Sequence, residues 1–230
     1  MKNILTLAFF FTFSIIIFNS CNQRITETKI IKETGYELNI SSNQKALLIL
    51  FPCFSCNIDH TKAEAKFLEN MDKIGISTLL LDYNQKLFLT DKEKTDLEKE
   101  LNQILDKHSI NKNNVYIGGF SSGGNIAILL GNDLIKTKNK LQPKGVFVVD
   151  SPLDLENLYQ GAQKDIQEKS NNDAVEEGHF IINMFDENLG KPVDSIQNYA
   201  YYSPYLISKN TVENLKIQKI LKFDFIVSLI

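Results

Sequence analysis

Residues 115–125, Val-Tyr-Ile-Gly-Gly-Phe-Ser-Ser-Gly-Gly-Asn, constrain this chain more than any other stretch. A β-type run leads into a serine with Gly119 and Gly123 two residues to either side, and a helical apolar run from Asn125 to Leu130 follows at once. A turn that takes a strand straight into a helix is strained and crowded, and it closes only where neighbouring Cβ atoms are missing. The spacing therefore predicts a nucleophile elbow with Ser121 at its tip. The helix behind it would aim unpaired N–H groups and the positive end of its dipole at a negative charge developing on the serine's target. No Gly-Lys-Ser or Gly-Lys-Thr follows, which argues against a nucleotide-binding loop.

The rest of the chain alternates apolar runs with amphipathic ones. Ala46 to Phe51 is continuously apolar and is closed by Pro52, as a strand buried on both faces should be. Asn57 to Gly75 has mostly helical spacing, with Gly75 placed as a stop signal. Ile76 to Asp82 gives another buried strand, Thr90 to His108 a charged surface helix, and Gly145 to Asp150 a further strand. This order predicts an α/β fold with a doubly wound, mostly parallel sheet, in which ligands sit beyond the carboxyl ends of the strands. Residues 151–205 are less periodic and too long for a loop, so they are expected to form a helical lid over the site. Leu215 to Asp224 alternates apolar with polar, which fits a strand near the sheet edge.

With 230 residues, 43% hydrophobic and 23% charged, the chain supports one sizeable domain, expected over 37–230. Three cysteines and three scattered histidines point to neither a disulfide scaffold nor a metal site, and no cofactor is indicated. A formal net charge of −3 gives no footing for nucleic acid. At the N-terminus Lys2 precedes an apolar run from Ile4 to Phe18, and Ser20-Cys21 ends it. Residues 1–20 read as an export signal of lipoprotein type, with Cys21 as the lipidated residue and 21–36 as a tether. The domain is then expected outside the cytoplasm, held to a membrane by lipid.

Taken together, the elbow at 118–124, the strand running into Pro52-Cys53-Phe54, the strand end Asp150-Ser151-Pro152 and the segment Tyr202-Ser203-Pro204-Tyr205 resemble the α/β-hydrolase family. The likeness is strongest to serine esterases and acyl hydrolases anchored as lipoproteins in Bacteroidetes-type bacteria. The resemblance implies an ester or related small acyl substrate and a triad in the chain order serine, acid, histidine. Ser121 takes the place of the nucleophile. The oxyanion hole would draw on the N–H of Ser122 and on one from the loop at Cys53 or Phe54. Asp224 stands near the usual place of the acid, and Asp150 is the alternative.

The histidine is where the pattern breaks. It belongs after the last strand, yet His60, His108 and His179 all lie earlier, and residues 223–230 are apolar where a polar loop and a helix would follow. The resemblance thus leads one to expect a chain shortened by truncation or frameshift, a last βα unit missing and an impaired activity. Two other readings follow from the same residues. One is a non-catalytic surface lipoprotein on a hydrolase fold. The other is a thioredoxin-like redox protein using Cys53 and Cys56, a C-x-x-C after a buried strand.

Overall fold

The computed structural model describes residues 28–211, 214–215 and the backbone of 222–226. The expected signal at 1–20 and the expected lipidation site Cys21 lie outside the described residues. Seven strands form one sheet: β1 (Lys29–Glu33), β2 (Tyr36–Ile40), β3 (Ala46–Phe51), β4 (Ile76–Leu81), β5 (Val115–Phe120), β6 (Pro143–Val149) and β7 (Lys222–Ile226), in the spatial order β1-β2-β4-β3-β5-β6-β7. β1 pairs antiparallel with β2 and β2 antiparallel with β4, and the ladder from β4 through β3, β5 and β6 to β7 is parallel. The helices between strands are α1 (Ile58–Glu64), α2 (Asp91–Lys107) and α3 (Ser122–Lys136). The insertion after β6 holds α4 (Leu155–Glu168), α5 (Asn172–Asn188) and α6 (Pro192–Tyr202). This is the doubly wound α/β architecture the sequence predicts, with its helical insertion. Five parallel strands and an edge hairpin exclude the thioredoxin-like alternative.

The apolar runs become the central strands for the reason the pattern suggests: they are buried on both faces. Leu47, Ile49 and Phe51 of β3 join the large core together with Leu79, Val115, Ile117 and Val146. Leu50 and Leu80 point the other way, into a smaller cluster with Ala65 against which Phe120 and Phe147 pack. α2 starts at a capping box, in which the Thr90 hydroxyl accepts from the Glu93 N–H and the Glu93 carboxylate accepts from the Thr90 N–H. It buries Leu97, Leu101, Ile104 and Leu105 along one stripe.

Two expectations need correction. The proposed tether is partly structural, because Lys29–Glu33 pairs with β2 through a tight turn at Thr34-Gly35, where Gly35 takes φ +90°. Its charged, mostly exposed side chains look like linker in sequence because an edge strand has one side open to solvent and here only Ile31 packs against the core. The segment 57–75 is no single helix: α1 ends at Ala65, and two short 3₁₀ turns follow, the second bracketed by Asn70 and Gly75 in the left-handed region. The last strand is described over Lys222–Ile226, and 216–221 of the strand expected at 215–224 lie outside the described residues.

The insertion extends the large core through its own aromatic residues, with Phe185 packed against Phe88 of the scaffold. Tyr159, Phe185 and Tyr199 are almost wholly buried and pack ring against ring at 5.8–6.4 Å. Their hydroxyls are satisfied by Asp186 and the Gly190 carbonyl. Burial pushes the Tyr159 phenol up to about 12, and that of Tyr199 up as well. The two ends of the insertion are laced together. The Tyr205 N–H donates to the Leu153 carbonyl at 3.2 Å, the Leu155 N–H to Ser203 Oγ at 3.2 Å, and the Ile207 N–H to Asp154 Oδ2 at 2.9 Å.

Candidate active site

At the carboxyl end of β5 the chain turns directly into α3, and Ser121 occupies the turn with φ +47° and ψ −124°. A non-glycine residue there is strained, and the surrounding structure must hold it. Two features do so. The Ser121 N–H donates to the Val149 carbonyl of β6 at 2.8 Å, and its carbonyl accepts from the Gly124 N–H at 3.0 Å. The glycines supply the clearance: a Cβ on Gly119 would run into the Gly123 backbone, one on Gly123 into the Pro52 carbonyl, and one on Gly124 into Ser151. The elbow predicted from the spacing is thus present, and each flanking glycine has an identified neighbour.

The loop after β3 lies beside it. β3 and β5 pair through Phe51 and Gly119, so Cys53 stands at the level of Ser121. Cys53 and Cys56 are joined in a disulfide with Cα atoms 5.1 Å apart, the Cys56 N–H donates to the Cys53 carbonyl, and Ser55 between them takes φ +55°. Asn84 from the loop after β4 donates to the Cys56 carbonyl at 2.9 Å. Ser122, the first residue of α3, is buried, and its N–H belongs to the first turn, which leaves donors without intrahelical partners.

A cavity of about 320 Å³ opens at Ser121. Phe54 and Leu87 line it from the two strand-end loops, and Asp150 and Pro152 from the loop after β6. Glu177, Phe180 and Ile181 roof it from α5, and the Phe54 and Phe180 rings pack at 5.1 Å. Asn125, fully buried four residues beyond the serine, donates through Nδ2 to the carbonyls of Leu87 (3.2 Å) and Pro152 (2.8 Å). One side chain on the elbow helix thereby fixes two walls of the cavity.

Of the sequence-predicted residues, Ser121, Asp150 and Phe54 meet at this cavity, and Ser122 and Cys53 border the serine. Asp224 does not reach the same level: it pairs with Phe147, which pairs with Gly118, three residues below Ser121 or about 10 Å along the strand direction. The register therefore favours Asp150, which sits at the strand end with φ +49°. Alternation revealed that strand but not where it ends.

None of the three histidines lines the cavity. His108 caps α2, with Nε2 2.9 Å from the Tyr36 hydroxyl and 3.7 Å from Glu33. His60 is exposed on α1. His179 is exposed on α5, two residues past Glu177, so that 100° per residue carries it off the face shared by Glu177, Phe180 and Ile181. Sequence reasoning missed Glu177 and Asn125. A polar residue opening the apolar run of α3 was the signal for Asn125. Glu177 gave none, because only packing decides which face of α5 turns inward.

The α/β fold thus presents a strained serine at a strand-to-helix elbow, backed by a helix N-terminus and roofed by a helical insertion. Residues 41–173, more than half of the chain, match the lipase (class 3) family, and the chain belongs to that family. No curated protein matches the sequence. Among solved structures the chain is similar to carboxyl esterase 2 from the mycorrhizal fungus Tuber melanosporum, at 17% identity and TM-score 0.54, over 91% of this chain and 69% of that one. It is also similar to an esterase from Pyrobaculum calidifontis, at 14% identity and TM-score 0.53, over 94% and 80%. These likenesses establish the fold. The chain spans 57% of a Thermus thermophilus protein and 50% of an arylesterase that it also matches.

Proposed function

We propose that this protein cleaves carboxylic esters or related small acyl substrates with Ser121 as the nucleophile. The observation that carries the reading is the backbone of Ser121, held at φ +47° and ψ −124° at the mouth of a cavity, in a chain of the class 3 lipase family. Strain of this kind costs on the order of 1–3 kcal/mol and persists where the geometry has a use. In this reading the serine oxygen adds to the acyl carbon, and the alcohol leaves with a proton. Water then releases the acid from the acyl-enzyme. The developing oxyanion is met by the Ser122 N–H at the helix N-terminus and by the N–H of Phe54 or Cys53 across from it.

The base is the weak point of the catalytic set. Among the described residues, the ionisable side chains lining the cavity are the carboxylates of Asp150 and Glu177. A carboxylate is a poorer proton acceptor than imidazole near neutral pH, so turnover is expected to be slow. The same observation supports the second reading, a surface protein that retains the fold for binding. A fluorophosphonate probe separates the two: covalent labelling of Ser121, lost in Ser121→Ala, supports the hydrolase. A folded protein that labels nowhere near Ser121 would leave the binding reading. We further propose that the chain is exported and anchored through lipid on Cys21. Incorporation of a labelled fatty acid that is abolished by Cys21→Ser tests this, and incorporation that survives the substitution rules it out.

A further inference from the structure

We propose that the ester taken by this site carries a positive charge, an ammonium group held beside Glu177. The inference rests on the reading of Ser121 as the nucleophile and adds the substrate class. It starts from a second cleft of about 550 Å³ between α4, α5 and the strand-end loop after β6, which shares Ser151, Pro152, Leu158, Glu177 and Ile181 with the cavity at the serine. The two clefts adjoin along these five residues, and Glu177 borders both.

The charge in that space has one sign. The walls of the two clefts hold the carboxylates of Asp150, Asp154, Asp165 and Glu177, with no lysine, arginine or histidine among the described residues. Two of the four are committed elsewhere. Asp154 caps α4 and accepts from the Ile207 N–H, and Asp165 accepts from Ser170 Oγ. Glu177 and Asp150 have no hydrogen-bond or ion-pair partner among the described residues. A cation entering here meets negative charge that no described protein group neutralises, whereas an anionic substrate meets repulsion.

The remaining wall suits the same guest. Phe54 and Phe180 pack at 5.1 Å beside Glu177, and Phe180 stays 44% exposed, an apolar ring left open at the mouth. Aromatic faces next to a carboxylate are favourable surroundings for an alkylammonium. The product side follows from the same charges: the carboxylate freed by hydrolysis is repelled from the place where it forms.

The experiment compares three phosphonofluoridate probes of equal length on the full chain, one ending in trimethylammonium, one in a neutral alkyl group and one in carboxylate. The trimethylammonium probe should label Ser121 at least roughly ten-fold faster than the carboxylate probe, a ratio equivalent to about 1.4 kcal/mol. Raising ionic strength from about 0.01 M to about 1 M should compress that ratio, a result that needs no variant. Glu177→Gln should shrink the ratio, and Glu177→Lys, at the same exposed helical position, should invert it.

Hexyltrimethylammonium and hexyl sulfate then report binding without chemistry, through the shift each gives in thermal unfolding, with stabilisation expected for the former alone. Equal labelling by all three probes, unchanged by Glu177→Gln, overturns the cationic substrate while leaving the nucleophile in place. Stabilisation by hexyltrimethylammonium with no labelling by any probe removes the nucleophile and keeps the cation site. A preference that persists in Glu177→Lys overturns the assignment to Glu177.

Discussion

Gly123 faces the carbonyl oxygen of Phe51 so closely that a Cβ added to it would come within 2.7 Å. The first turn of the elbow helix is therefore seated directly on the end of β3 and on the loop that carries Cys53 and Phe54. Gly123→Ala must push that loop away from Ser121. Overpacking of this kind costs about 1–3 kcal/mol, so the variant should melt earlier and lose fluorophosphonate labelling by more than its stability loss explains.

Ser121 itself should be a stability cost. Its backbone sits where glycine is at ease and other residues are not, and strain there is worth on the order of 1–3 kcal/mol. Ser121→Gly should abolish labelling and raise the melting temperature. Ser121→Ala, which keeps the Cβ, should abolish labelling with little change in stability. A glycine variant no more stable than the alanine variant would show that the turn is relaxed.

Asn125 ties Leu87 to Pro152, and its removal should be felt at both walls. Asn125→Ala leaves two carbonyls short of a buried donor, at about 1–3 kcal/mol for each group left unpaired. Asn125→Asp is the sharper probe, since a carboxylate cannot donate to either carbonyl and adds a buried charge. Chemical denaturation should rank the aspartate variant below the alanine one.

The loop disulfide should support the site as much as the fold. Closing a four-residue loop restricts the unfolded chain by about 2 kcal/mol in the chain-entropy account. Treatment with a dithiol, or the double substitution of Cys53 and Cys56 by serine, should lower the melting temperature modestly. It should slow labelling of Ser121 more strongly, because the bond holds the loop opposite the elbow. Unchanged labelling in the double variant would disconnect this loop from the site.

Acid should weaken the start of α2 in a definite direction. Burial raises the affinity of Glu93 for a proton, but Lys86 and the Thr90 donors outweigh it, and the carboxyl titrates below its usual 4.5. A depressed folded value means that this contribution is complete above about pH 4.5 and is lost as pH falls through the folded value. Glu93→Gln should flatten that part of the stability profile relative to the parent.

How much of this could be read from the residues depends on whether the deciding constraint is local. The elbow was legible because steric exclusion acts within five residues, and Gly119 and Gly123 mark it. The parallel ladder was legible because strands such as Ala46–Phe51 are buried on both faces and have no polar side to confuse their pattern. β1 was not, since an edge strand carries solvated charges like a linker. The break of 57–75 at Ala65 leaves no breaker residue in the sequence before Gly75. Glu177 and the level of Asp224 depend on how distant elements dock, which one-dimensional periodicity does not encode.

The laced ends of the insertion have a consequence for how such a protein changes over time. Residues 151–205 depart from the scaffold and rejoin it at the contact between Leu153 and Tyr205, around the ring cluster of Tyr159, Phe185 and Tyr199. Chain topology thus treats the roof of the cavity as a cassette. Its helices are free to be lengthened, replaced or rewritten in charge while the strained serine beneath keeps its supports. Appetite and chemistry are inherited on separate stretches of the polypeptide, and the first can drift without disturbing the second.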